Sequence, residues 1–323
     1  MEDHKKLPKA PLAALQDRAE EAKARMALRP MSQQLDLFWG ESARPMASAL
    51  TKSALFGTSR PPSFTGELDR LGQPMLPAMP FMKNQEIFST DDIILYYTGE
   101  ELTQDDLTLW MQIVFLSRDR PMDDLTQRTR PYRLLKDLDW GDSKPAYFRL
   151  KSSITRLRNA TLRIQQRYRG EKVVDVNDVN FLDHLRYIDD ESGNSTGEIE
   201  FRADRRILEI FRPELTSVHN WTTRQTIQKT RNRLAQWTHS FYSNHSGKPY
   251  PMLLTTLMSL SKTKTKDVYR FKQQLEVALA VLIKVGFLLD WQIEGTGVKA
   301  KLHVTLKKQT KAALPSPDEK LPL

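Results

Sequence analysis

The 323-residue chain contains no cysteine. A disulfide framework, a thiol nucleophile and any cysteine-ligated zinc or iron–sulfur site are therefore excluded. Glycine is sparse, at 13 residues, and no glycine-rich dinucleotide fingerprint is present. The Gly-Lys step in His245-Ser246-Gly247-Lys248-Pro249 lacks the upstream glycine and the following Ser/Thr of a phosphate-binding loop. The histidines (His4, His184, His219, His239, His245 and His303) lie far apart, without a HExxH or a paired metal spacing. No stretch approaches the ~18 apolar residues that a membrane span requires. Charged Met1–Lys9 is not followed by an apolar run, so no secretory signal is expected. These absences lead us to expect no cofactor, no metal, no membrane contact and no enzyme activity, in a cytoplasmic protein.

Basic charge is what the chain does have. Lys and Arg number 49 against 40 Asp and Glu, a formal charge of +9, with 39% hydrophobic residues. A basic balance favours anionic partners, nucleic acid foremost. The excess is local. Residues 143–169 hold Lys144, Arg149, Lys151, Arg156, Arg158, Arg163, Arg167 and Arg169 without one carboxylate. Residues 215–266 are also acid-free and hold Arg224, Lys229, Arg231, Arg233, Lys248, Lys262, Lys264 and Lys266. Such stretches suit a phosphate backbone, because each cation that neutralises a phosphate releases counterions. Within Ser261–Lys272 (SKTKTKDVYRFK), three lysines lead into a helix that starts with Tyr269, Arg270, Lys272 and Gln273. Arg reads guanine, Gln reads adenine, and Lys and Tyr hold phosphate. Candidate DNA contacts are thus Lys262, Lys264, Lys266, Tyr269, Arg270, Lys272 and Gln273 in the second half of the chain. In the first half they are Lys144, Arg149, Lys151, Ser152, Thr155, Arg156 and Arg158. A solvated helix face with ordinary surface charge is the alternative in both places.

Proline divides the chain. Half of its 18 prolines fall in residues 1–80, and runs such as Pro74–Pro80 cannot continue a helix or a central strand. Residues 1–85 read as a largely disordered arm, interrupted by a helix-forming stretch at Leu12–Leu28. From Ile87 onward the pattern predicts a strand at Ile93–Tyr97 and a helix over Glu101–Arg118, with Thr103 as N-cap and Asp106 at the third position after it. Helices over Tyr132–Leu138 and Lys144–Asn159 follow. β-rich segments follow at Thr161–Tyr168, Val179–Asp189 and Glu198–Phe211. The order then recurs: helices over Thr223–Ser243, Pro251–Leu260 and Asp267–Val285, the last ended by Gly286, and a hairpin of Leu288–Ile293 with Ala300–Leu306. The class is α+β. Two copies of helix–helix–helix–hairpin suggest tandem winged helices, with the third helix of each entering the major groove. The expected division is 1–85 arm, 86–213 first winged helix, 214–308 second winged helix and 309–323 tail. A two-domain α+β protein without that role is the alternative.

Within the arm, Gln34-Leu35-Asp36-Leu37-Phe38 matches the pentapeptide by which bacterial replication proteins bind the sliding clamp. Leu37 and Phe38 would fill an apolar pocket, with Leu35 in support and Gln34 at the rim. Four further segments resemble the TrfA family of plasmid replication initiators: Ser53-Ala54-Leu55-Phe56, Ile94–Glu101 (ILYYTGEE) with Leu102–Trp110, Leu134–Trp140 (LLKDLDW), and Ser243–Leu260 (SNHSGKPYPMLLTTLMSL) with the basic helix after it.

The resemblance implies two winged-helix domains that bind direct repeats (iterons) at a plasmid origin and help open the adjacent AT-rich duplex. It also implies recruitment of the sliding clamp, DnaA and the replicative helicase, a monomer–dimer equilibrium, and a bacterial, nucleoid-associated location. Single-stranded AT-rich DNA is a further expected partner. By the same resemblance, Lys262–Gln273 becomes the principal reading element and Lys144–Arg158 the secondary one. A transcriptional regulator built on the same folds remains an alternative, as does a nicking or recombining enzyme around His184-Leu185-Arg186-Tyr187, for which no supporting Arg/His framework is found.

Overall fold

The computed structural model describes residues 29–35, 40–62, 65, 67, 70, 78–90, 92–189 and 195–307. The Leu12–Leu28 stretch, Asp36–Phe38 and the tail lie outside these.

The first helices and strands come from the segment expected to be an arm. They are α1 (Met31–Gln34), β1 (Ala43–Ala47), α2 (Ser48–Thr51) and β2 (Phe56–Gly57). Met31, Met46, Leu50 and Leu55 are fully buried, and every residue of β1 is buried. Residues 43–57 are therefore part of the core, which corrects the expected arm. Proline content misled here because Pro45 sits in a two-stranded ribbon, where one strand face has no ladder to donate to. β1 pairs antiparallel with β11 (Thr216–Asn220), tying residue 43 to residue 220.

Next come β3 (Phe81–Glu86), β4 (Ile93–Glu100), β5 (Leu102–Thr103) and α3 (Gln104–Ser117). The cap is built as the residue types require. Thr103 accepts from the Asp105 amide, and the Thr103 amide donates to Asp106 Oδ2 at 2.7 Å. All of α3 except Leu116 is buried, as expected of a helix without a solvent face. β6 (Thr126–Thr129), α4 (Pro131–Leu138) and α5 (Lys144–Asn159) follow. Then come β7 (Thr161–Tyr168), β8 (Glu171–Asn180), β9 (Leu182–Asp189) and β10 (Ser195–Ala203). One sheet runs β3-β4-β7-β8 and another β6-β10-β9. The turn between β7 and β8 uses Arg169 and Gly170, both at positive φ. Arg205–Ile210, expected as strand, is a 3-10 helix capped by Asp204, with Ile207 and Ile210 sharing its buried side. The three-residue repeat of such a turn, rather than strand alternation, places those two isoleucines together.

The long helix expected over Thr223–Ser243 is two, α6 (Trp221–Lys229) and α7 (Arg233–Tyr242). Arg231 takes a left-handed φ of 58° between them. The Asn232 side chain then accepts from the Ala235 amide at 2.9 Å, starting α7 afresh. α8 (Leu254–Ser261) and α9 (Val268–Lys284) complete the helices. β12 (Met252–Leu253), β13 (Leu288–Glu294) and β14 (Lys301–Leu306) form a sheet ordered β12-β14-β13. Gly286, at φ 72°, follows α9 and lets the chain turn into β13.

Apolar burial falls into two clusters, one from Met31 to Trp221 and one from Ile227 to Leu306. The seam between them is largely polar. Arg224 on α6 is fully buried there. Its guanidinium donates to Gln104 O and Oε1, Thr108 Oγ1, Gln236 O and Ser240 Oγ at 2.7–3.2 Å, all neutral acceptors. Burial lowers its pKa to about 9. Asp105 spans the same seam, accepting from Arg149 at 2.6 Å and Arg233 at 2.8 Å. Burial pushes its carboxyl up, but the two guanidinium groups outweigh that and hold it well below the usual carboxylate range.

Candidate nucleic-acid interface

In the second unit, the Asp267 side chain accepts from the Arg270 amide at 2.7 Å and sets the start of α9. Phe271, Leu275, Ala278, Leu279 and Leu282 then face the core, the 3–4 spacing read from the sequence. The opposite face is open. Lys264, Lys266, Arg270 and Gln273 are exposed, and Tyr269 keeps 69% of its surface. Among the described residues, no carboxylate forms an ion pair with Lys264, Lys266 or Arg270. The start of α9 thus presents Arg270, Gln273 and Tyr269 on its open side, and the segment leading into it adds the exposed cations Lys264 and Lys266. Lys272 is half-buried on the flank, its Nζ 3.9 Å from Glu276.

Lys262 does not join this face. It caps α8 in a left-handed conformation (φ 49°). Its Nζ lies 3.3 Å from Met82 Sδ and 3.9 Å from Glu101, against the first unit. Burial lowers its pKa, with Glu101 opposing. Its side chain is thus turned toward the first unit and away from the open face of α9.

In the first unit, α5 begins and ends at the expected residues, yet two of its arginines turn inward. Arg156 is 4% exposed and chelates Asp106 with Nε and Nη2 at 2.8–3.2 Å. Burial works against its charge, and the Asp106 carboxylate outweighs burial to hold the pKa above the ordinary arginine value. Arg149 bonds Asp105 and lies 3.8 Å above the Trp140 ring. Both were expected to contact DNA; both hold the helix to α3 instead. Lys144 is exposed, while Ser152, Thr155 and Arg158 are half-buried. Lys151, also half-buried, has its Nζ 5.6 Å from the Tyr187 ring centre.

Two cationic sites escaped the candidate set. Arg167 and Arg169 are exposed at the tip of the β7–β8 hairpin, and Lys299 and Lys301 are exposed at the β13–β14 hairpin. The signal for Arg167 was period-two alternation. Arg163 and Arg167 fall on the outward side of β7, whose other side buries Leu162 and Ile164. Of the clamp-type pentapeptide, only Gln34 and Leu35 lie among the described residues. Gln34 Nε2 donates to Arg29 O at 2.6 Å, and Leu35 packs partly buried against the first core. Among the described residues no helix is long and apolar enough to cross a membrane, and no cluster of three potential metal ligands occurs.

The architecture is a mixed α+β chain in which the start of α9 and the segment before it turn exposed cations outward. The TrfA protein family matches residues 5–301. The chain therefore belongs to the TrfA family of plasmid replication initiators. No curated protein sequence matches it. Among solved structures, the crystal structure of RctB domains 2–3 (RctB-155-483) aligns at 14% identity with a TM-score of 0.44. It covers 71% of this chain and 94% of that one. A selenomethionine structure of RctB domains 2 and 3 aligns at 13% identity and a TM-score of 0.43, with the same coverage.

Proposed function

We propose that this initiator binds direct repeats at its plasmid origin through tandem winged helices. α9 would be the helix that enters the major groove, and the β13–β14 hairpin its wing. The carrying observation is the outward face of α9, where Arg270 and Gln273 stand exposed just after exposed Lys266, with no ion pair to either cation among the described residues, beside a sheet ordered β12-β14-β13. That order of helices and strands fits a helix-turn-helix with a β wing, and the side chains fit groove and phosphate contacts. In this reading Lys144, Lys151, Ser152, Thr155 and Arg158 of α5, with Arg167 and Arg169 of the hairpin, add backbone contacts. Binding several repeats would promote opening of the adjacent AT-rich duplex. The Gln34–Phe38 peptide would recruit the sliding clamp, with DnaA and the replicative helicase as further partners. The protein itself would act by binding, not by catalysis.

The test is a footprint on origin DNA with Lys266→Ala combined with Arg270→Ala. Both positions are exposed, so the fold should be retained while repeat protection is lost. Protection equal to wild type would remove α9 from the interface. In parallel, Leu37→Ala with Phe38→Ala should lose clamp binding and keep the footprint.

A further inference from the structure

The outward face of α9 changes character along its length. Its first half is basic and polar: Arg270, then Gln273. Its middle is apolar, between Gln273 and the exposed Lys284 at the far end. Val277 keeps 61% of its surface in water, and Ala280 one turn on is also exposed. Residues 273, 277 and 280 are spaced by four and three, so they stand above one another on the helix surface. Val277 therefore lies at the centre of the face, not on its margin. In the same turn Leu275, Ala278 and Leu279 are all buried, so Val277 is not needed by the core. A β-branched residue there weakens the helix slightly and gains nothing from exposure.

Exposed Arg270 on the same helix, with exposed Lys264 and Lys266 in the segment leading into it and no ion pair to any of the three among the described residues, suits the face to a polyanion. Inside a major groove, apolar surface is offered by the 5-methyl group of thymine. We propose that Val277 packs on a thymine methyl group one helical turn beyond the base pair met by Gln273, and so fixes an A·T pair in the repeat. This rests on α9 being the groove-entering helix, and it adds a specificity-determining residue to that helix.

The experiment replaces the thymines of the footprinted repeat by deoxyuridine one at a time, which removes the methyl group and nothing else. The full-length chain is titrated by fluorescence anisotropy at one salt concentration. At one or two positions, uracil should weaken wild-type binding about four-fold, the worth of one buried methyl-sized group. Val277→Ala should bind the unmodified repeat weaker by about the same factor and be indifferent to uracil at those positions. Val277→Ile should keep the sensitivity. An unchanged melting curve for both variants confirms that the fold is intact. Val277→Ala with wild-type affinity, or with the wild-type loss at every uracil, would overturn the inference while leaving α9 as the reading helix. Wild type that prefers no repeat over a scrambled duplex would overturn α9 itself, and this inference with it.

Discussion

α5 closes the first run of helices and α9 the second, and both were read from the sequence as basic faces, α5 from an acid-free stretch and α9 from the three lysines that lead into it. Their arginines meet different fates. Arg149 and Arg156 of α5 turn inward onto Asp105 and Asp106, whereas Arg270 of α9 stays in solvent with no ion pair among the described residues. The carboxylates that claim the first pair come from α3, more than forty residues upstream. Freedom from acid along the chain is thus not freedom from acid in space. What separates the two helices is what packs against them. α5 lies on α3, which is buried almost all round and carries Asp105 and Asp106 in its first turn. α9 packs on α7 and α8, whose sequences contain no acid, and on β13, whose Asp290 and Glu294 form no ion pair with Arg270 among the described residues.

The comparison breaks most visibly if the inward carboxylates are removed. Asp106→Ala leaves Arg156 buried and unpaired and also removes half of the Thr103 capping box. We expect a loss of about 3–5 kcal/mol in unfolding free energy, the usual cost of stranding one buried charge, read by urea titration. Arg270→Ala should move the same titration by less than about 0.5 kcal/mol, as surface substitutions do. Equal effects would dissolve the distinction between the two helices.

Acid sharpens the contrast between seam and face. His219 and His239 are fully buried in the seam with ring centres 5.7 Å apart. Burial lowers His219 to about 3, with Arg224 adding to the shift. Burial also lowers His239 well below 6.5, helped by His219 and Arg224. The folded state therefore resists protons that the unfolded chain accepts. Stability is full above about pH 6.5 and falls as pH drops toward the folded values. His219 alone should cost about 2 kcal/mol by pH 5. Asp105 acts lower down. Its folded pKa is depressed from 3.8, so its contribution is full above that pH and is lost only in stronger acid. His219→Asn should remove that residue's share of the fall between pH 6.5 and 5, about 2 kcal/mol, leaving the share of His239 and leaving repeat affinity at pH 7.5 unchanged. A profile that keeps its slope would place the titrating groups elsewhere.

How much of this was legible in the sequence depended on range. Local signals carried well: the Thr103–Asp106 cap, the bounds of α5, the core face of α9 and Gly286 at its end were all readable from spacing and residue type. Signals that need a partner far along the chain did not. Residues 43–57 looked like linker because their pairing partners, β11 and β5, lie elsewhere in sequence. The Asn232 cap was hidden inside a helix-forming stretch, since its effect depends on Arg231 taking a left-handed turn. The inward arginines of α5 were missed for the same reason as β1.

On the open face, the comparison turns on single side chains. Arg270→Ala should weaken repeat binding by about 1–3 kcal/mol and relax preference at one base pair, as loss of a bidentate guanine contact does. Arg149→Ala should leave that preference untouched, because its guanidinium is occupied by Asp105 and Trp140. A change of base preference in Arg149→Ala would return α5 to the reading surface.

The smallest expected effect is also the finest test, because it compares neighbouring lysines. Lys262 and Lys266 are four residues apart, yet one points at Met82 and Glu101 and the other at solvent. A lysine that neutralises a phosphate contributes about one unit to the slope of log affinity against log salt. Lys266→Ala should therefore reduce that slope by about one. Lys262→Met keeps the buried stem and removes a charge that DNA does not meet, so the slope should be that of wild type. The measurement separates contact from long-range attraction. A distant charge shifts affinity a little at low salt, but only a displaced counterion changes the slope. If Lys262→Met lowered the slope as much as Lys266→Ala, the α8–α9 connection would have to swing Lys262 out of the seam when DNA binds.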